Sequence, residues 1–76
     1  MNYSEALREA RTHSMIIGEC VAVVFYPMSG NFSVAIESER SSMERTKYPS
    51  VAMAEADGSI EERQIDTDML IEGRVA

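Results

Sequence analysis

A chain of 76 residues, 45% hydrophobic and 26% charged, holds one domain with a thin core, and its composition excludes disorder. Thirteen acidic residues against seven basic ones give a net charge of −6. That excludes a nucleic-acid backbone binder of the usual basic kind, whose affinity comes from Lys and Arg neutralising phosphates.

Cys20 is the single cysteine, so no internal disulfide or thiolate cluster forms, and a reducing cytoplasm fits. Residues 1–10 carry Glu5, Arg8 and Glu9 where a signal peptide needs an apolar run, so none is read there. The longest apolar stretch, Cys20 to Met28 broken by Pro27, is far short of a membrane span. A thin core leaves apolar surface for another copy or a partner to cover, which makes a homo-oligomer the expectation.

Asn2 to Arg11 reads as a helix: Tyr3, Ala6, Leu7 and Ala10 form one apolar stripe, and Asn2 with Glu5 has the form of a capping box. Thr12-His13-Ser14 is expected to end it. Met15 to Ile17 then leads through a bend at Gly18 into Cys20 to Tyr26, a central strand buried on both faces. Pro27 stops that strand and residues 28–31 turn. Phe32 to Ser38 alternates, with Phe32, Val34 and Ile36 on one face, and pairs back as a strand nearer an edge.

Residues 39–50 show no period and read as a long loop with a basic cluster of Arg40, Arg45 and Lys47, ending at Tyr48-Pro49. Val51 to Ala56 is the next strand, with Val51 and Met53 sharing a face. Asp57-Gly58 is the strongest hairpin signal in the chain. Ile60 to Ile65 returns as an edge strand, and its Glu61-Glu62-Arg63-Gln64 centre discourages edge-to-edge aggregation. Asp66 or Thr67 caps a helical turn that places Met69, Leu70 and Ile71 inward before Gly73, and residues 74–76 add a last short pairing. The expected fold is α+β: an N-terminal helix on a small antiparallel sheet of about four to five strands, with a short C-terminal helical turn.

Catalytic chemistry is not indicated. His13, the single histidine, sits at the expected helix exit with no sequence reason to lie near Cys20 or a serine, and reads as a surface residue. Cys20 reads as a small core residue. Asp66-x-Asp68 lacks the other ligands and the glycine of a calcium loop, and Glu61-Glu62 points to opposite faces of a strand. There is no Walker loop, dinucleotide fingerprint or zinc spacing. The expectation is a binding protein without metal or cofactor, not an enzyme. Its candidate contacts are the basic loop, Tyr26 and Tyr48, and the acidic C-terminal third with Glu61, Glu62, Arg63, Asp68 and Arg74.

Both ends of the chain resemble the Thoeris anti-defence nucleotide-sponge family of phage proteins, one member of which acts as an anti-CRISPR against a type II effector nuclease. Those proteins open with an aromatic and a Glu-Ala-Leu helix, matched here by Tyr3 and Glu5-Ala6-Leu7. They close with a proline-led strand, an Ala-Asp-Gly turn and an Asp-Met-Leu segment. Here Pro49, Ala56-Asp57-Gly58, Thr67-Asp68-Met69-Leu70, Glu72 and Val75 match in order. The family's Gly-Trp-Asn-Gly segment is missing, its tryptophan before the closing segment is replaced by Glu62, and its terminal Asp-Trp by Gly73-Arg74.

The resemblance implies a phage counter-defence setting in the cytoplasm of an infected bacterium. Two partners follow. One is a bacterial immune effector protein, its basic surface met by the acidic residues. The other is a cyclic nucleotide signal such as a cyclic ADP-ribose isomer, its phosphates held by Arg40, Arg45, Lys47, Arg63 or Arg74 and its base stacked on Tyr26 or Tyr48. A third reading is a phage accessory protein that shares only the fold.

Overall fold

A computed structural model describes residues 1–63. Its first element, helix α1 (Tyr3–Ile17), begins as the sequence predicts: the Asn2 side chain accepts from the Glu5 N–H while the Glu5 carboxylate accepts from the Asn2 N–H. It runs six residues further than expected. Ser14 does not end the helix, because it continues the buried stripe of Ala6 and Ala10, each with no exposed surface, and its hydroxyl donates to the Arg11 carbonyl. The stop comes at Gly18, in the left-handed region at φ 70°, whose N–H donates to the Ser14 carbonyl at 2.8 Å. Met15, Ile16 and Ile17 are therefore helical rather than the approach to a strand, and Gly18 is a C-terminal cap rather than a bend in the sheet.

Among the described residues four antiparallel strands follow: β1 (Val21–Tyr26), β2 (Asn31–Ile36), β3 (Ser50–Ala54) and β4 (Ile60–Glu62), in the order β2-β1-β3-β4. β1 is the central strand that its unbroken β-branched and aromatic run predicts, buried from Val21 to Phe25. β2 lies at one edge. β4, bearing Glu61 and Glu62, lies at the other. The hairpin between β3 and β4 turns at Asp57-Gly58, where Gly58 has φ 90°. The Asp57 carboxylate accepts from both the N–H and the hydroxyl of Ser59, which holds that carboxyl below its usual range.

The core sits between α1 and one face of the sheet: Ala6 and Ala10 against Val21, Val23, Phe25, Phe32, Val51, Ala52 and Ala54. Tyr3, Phe32 and Phe25 stack in tilted contact, with centroids 5.2 and 4.9 Å apart. On the opposite face Ala22, Val24 and Met53 form a second cluster, with Cys20 and Tyr48 packed against it. Val51 and Met53 do not share a face. β3 carries an extra residue where its pairing shifts from Val23–Ala52 to Val24–Ser50, and this bulge turns Val51 to the helix side along with Ala52.

Residues 39–50 are not a long loop. A 3-10 turn (Glu37–Glu39) leads to helix α2 (Ser42–Lys47), capped by Ser41, whose hydroxyl accepts from the Glu44 N–H at 3.1 Å. The helical turn expected at Asp66–Glu72 and the pairing expected at 74–76 lie outside the described residues.

The contact between α1 and the sheet depends on small side chains at Ala6, Ala10 and Ser14. Ala10→Leu should therefore destabilise the protein by about 1–3 kcal/mol through overpacking. Glu9→Leu, on the exposed side, should change stability by no more than about 0.5 kcal/mol. Urea unfolding of the two variants beside the parent checks both.

Candidate functional site

Three of the residues expected to bind come together on the sheet face opposite α1. Tyr26 ends β1 half-exposed, and its ring meets that of Tyr48 edge-on at 4.9 Å and 61°. Together with Val24, Ala35, Arg40 and Glu44 they line a recess of about 330 Å³. That volume lies at the lower end of small-molecule sites. The Lys47 Nζ lies over the Tyr48 ring, 5.4 Å from its centroid.

The basic cluster expected of this region is not a set of free cations. Arg40 is 7% exposed. Its guanidinium donates to the Glu37 carboxylate at 3.1 Å and to the Tyr48 backbone carbonyl. Arg45 pairs with the same carboxylate at 3.2 Å and donates to the Glu37 carbonyl at 2.8 Å. One glutamate thus holds two arginines, the buried Arg40 and the exposed Arg45, fastening α2 and Tyr48 over the sheet, and a phosphate in the recess would have to displace Glu37 from Arg40. Arg45 and Lys47 both remain exposed, and of the three Lys47 is the one in no ion pair among the described residues.

At the other edge, Glu61 and Glu62 do point to opposite faces. Glu61 stands across from Met53 and Glu62 across from Ala52. Glu62 accepts the Tyr3 hydroxyl at 3.0 Å, tying β4 to the start of α1. Burial first, then this hydrogen bond and the carboxylate charge, push the Tyr3 phenol up to about 12. Arg63 is exposed and its N–H extends the sheet by donating to the Val51 carbonyl. Asp68 and Arg74 lie outside the described residues.

A third grouping was not expected. Cys20 is half-buried rather than a core residue, and its thiol donates to the Glu55 carboxylate at 3.0 Å. Glu37 and Glu19 stand close by at the same end of the sheet, with Ser38 donating to Glu19 at 3.1 Å. The hydrogen bond to Glu55, then partial desolvation and the negative field of Glu55, Glu37 and Glu19, raise the thiol pKa. Among the described residues only Glu37 of these carboxylates is in an ion pair.

Sequence reasoning missed Glu37, Glu44 and Glu55. A signal existed for Glu44: Ser41-x-x-Glu44 has the spacing of a helix start, and reading it would have replaced the loop by α2. A wider concavity of about 580 Å³ runs along the outer face of α1 from Met1 to Ile17 and touches none of the predicted residues. Among the described residues no group of three or more His, Cys, Asp or Glu is placed to hold a metal ion, and no helix is long and apolar enough to cross a membrane.

Arg40→Met should cost about 1–3 kcal/mol, because the Tyr48 carbonyl loses its partner while Glu37 keeps Arg45. The full penalty of a broken buried pair, about 3–5 kcal/mol, does not apply to a carboxylate that stays partly solvated and paired. Denaturant titration measures the loss. Tyr3 gives a pH test: with the folded pKa raised above the unfolded value near 10, the native state holds the proton more tightly, so stability is complete below about pH 10 and falls as pH rises towards 12. Glu62→Gln removes the charge and should flatten that fall, read from thermal melts across the range.

No family model, no curated protein and no solved structure matches this chain.

Proposed function

We propose that this is a non-enzymatic, phage-encoded counter-defence protein that inhibits bacterial immunity by docking its acidic surface on a basic face of an immune effector, of the CRISPR effector class. The observation that carries the reading is the cluster of carboxylates at one end of the sheet. Glu19, Glu37 and Glu55 gather about Cys20, whose thiol donates to Glu55 at 3.0 Å and whose carbonyl accepts from the Glu37 N–H, and only Glu37 is compensated by arginine among the described residues. A concentrated negative field of this kind speeds encounter with a lysine- and arginine-rich surface and competes there with nucleic acid. The resemblance of both chain ends to the Thoeris anti-defence family supplies the phage setting.

A second reading, a sponge for a cyclic nucleotide signal, is favoured by one specific feature: the Tyr26–Tyr48 pair beside Lys47 in a recess of small-molecule size. Base stacking on such rings contributes about 1–3 kcal/mol per base. The engagement of Arg40 and Arg45 with Glu37 weighs against it, because Arg40, the cation lining the recess, is already paired, and Lys47 beside Tyr48 is left as the member of the cluster without an ion pair among the described residues.

Mixed with purified CRISPR effector complexes at low salt, the protein should co-elute with one of them and block its binding of target DNA, and the association should weaken as salt rises. The variant Glu19→Lys/Glu55→Lys should abolish it. Failure to co-elute with any effector, together with a thermal shift produced by a cyclic ADP-ribose isomer or a cyclic oligonucleotide, transfers the assignment to the sponge.

A further inference from the structure

The two edges of the sheet are built differently. β4 carries Glu61 and Glu62 and is followed by Arg63, charges that guard an edge against pairing with other chains. β2, Asn-Phe-Ser-Val-Ala-Ile, has no charge and no proline along its six residues. The hydrogen-bond phase of β2 follows from its flanks. The Glu37 N–H donates inward to the Cys20 carbonyl at 3.0 Å, so Ala35 and Ser33 also pair inward with β1, and Phe32, Val34 and Ile36 present their backbone groups outward. Phe32 shows this directly, its N–H donating away from β1 to the Met1 carbonyl at 3.0 Å. Among the described residues nothing accepts from Val34 or Ile36 on that side. The chain itself thus makes the first bond of an added strand at Phe32, and among the described residues the next two positions are open.

A groove of about 330 Å³ runs along those positions, lined by Val34, Ala35 and Ile36 with His13 of α1 on one side and Glu39 and Glu44 on the other. Ala35, Arg40 and Glu44 also line the Tyr26–Tyr48 recess, so the two spaces adjoin. Glu39 and Glu44 are exposed and, among the described residues, form no ion pair.

We infer that the β2 edge is a strand-addition site that takes an extended peptide segment of a partner protein, apolar at the positions facing α1 and basic at the alternate positions facing Glu39 and Glu44. Main-chain bonds to Val34 and Ile36 supply affinity, and the two carboxylates supply selectivity. His13 of α1 and Glu44 of α2 line the groove, so a second copy would bring its own α1 and α2 to the same edge, whereas a single extended segment would not. The site is independent of the acidic sheet end and of any immune effector, so it stands or fails apart from the function proposed above.

The probe is the synthetic peptide Val-Lys-Val-Lys-Val-Lys-Val, titrated into the full chain and followed by amide hydrogen exchange. Exchange at Val34 and Ile36 should be fast in the free protein and slow at least tenfold with peptide, while Ser33 and Ala35, already bonded to β1, stay slow throughout. The same peptide N-methylated at alternate residues keeps its charge and should fail to protect them. E39K/E44K should weaken peptide binding at least tenfold by fluorescence anisotropy, with an unchanged circular dichroism spectrum. The inference is overturned if Val34 and Ile36 are already protected in the free protein, if protection appears on concentrating the protein alone, if the N-methylated peptide binds equally well, or if millimolar peptide leaves both amides unchanged.

Discussion

The close seat of α1 on the sheet is the contact from which the rest of the structure follows. Ala6, Ala10 and Ser14 are fully buried, and their small side chains let the helix backbone approach Val21, Val23 and Ala52 without a layer of large residues between. A chain this short cannot fill a wide core, so it brings its layers together instead. The large side chains of the contact, Tyr3, Phe32 and Phe25, stack on one another. The bulge in β3 serves the same end by turning Val51 as well as Ala52 toward the helix.

Closing one face of the sheet leaves the other to a lighter cover. Met53, Val24 and Ala22 are shielded by Tyr48, and Tyr48 is held by Arg40, itself held by Glu37. A buried arginine is unusual in so small a domain; here a carboxylate and a backbone carbonyl satisfy its guanidinium. The same arrangement commits Arg40 and Arg45 to Glu37, while Glu19 and Glu55 are in no ion pair among the described residues. Fold stabilisation and surface electrostatics are thus settled by one glutamate, which is why docking on a basic partner is the better-supported proposal.

The two sheet edges show a related division. The β4 edge is guarded by charge and tied down by the Glu62–Tyr3 hydrogen bond, whereas β2 is uncharged and, among the described residues, capped by Met1 at a single position. Loss of an edge guard carries an aggregation risk. His13 of α1 and Glu44 of α2 line the groove along β2.

What the sequence determined by itself was local. The Asn2–Glu5 capping box, the buried run of β1, the turn at Asp57-Gly58 and the charged edge at Glu61-Glu62 are each written within a few neighbouring residues, where capping, side-chain alternation and turn chemistry act. Tertiary structure decided the rest. Ser14 reads as a helix breaker until its burial against the sheet is known, and Val51 reads as a partner of Met53 until the bulge shifts the register. Arg40 reads as a loop cation until Glu37 and Tyr48 enclose it. The meeting of Tyr26 with Tyr48, and the groove that runs from them to β2, depend on strand order and on where α2 lies. Contacts between residues far apart in the chain are fixed by register and layer packing, which no local pattern encodes.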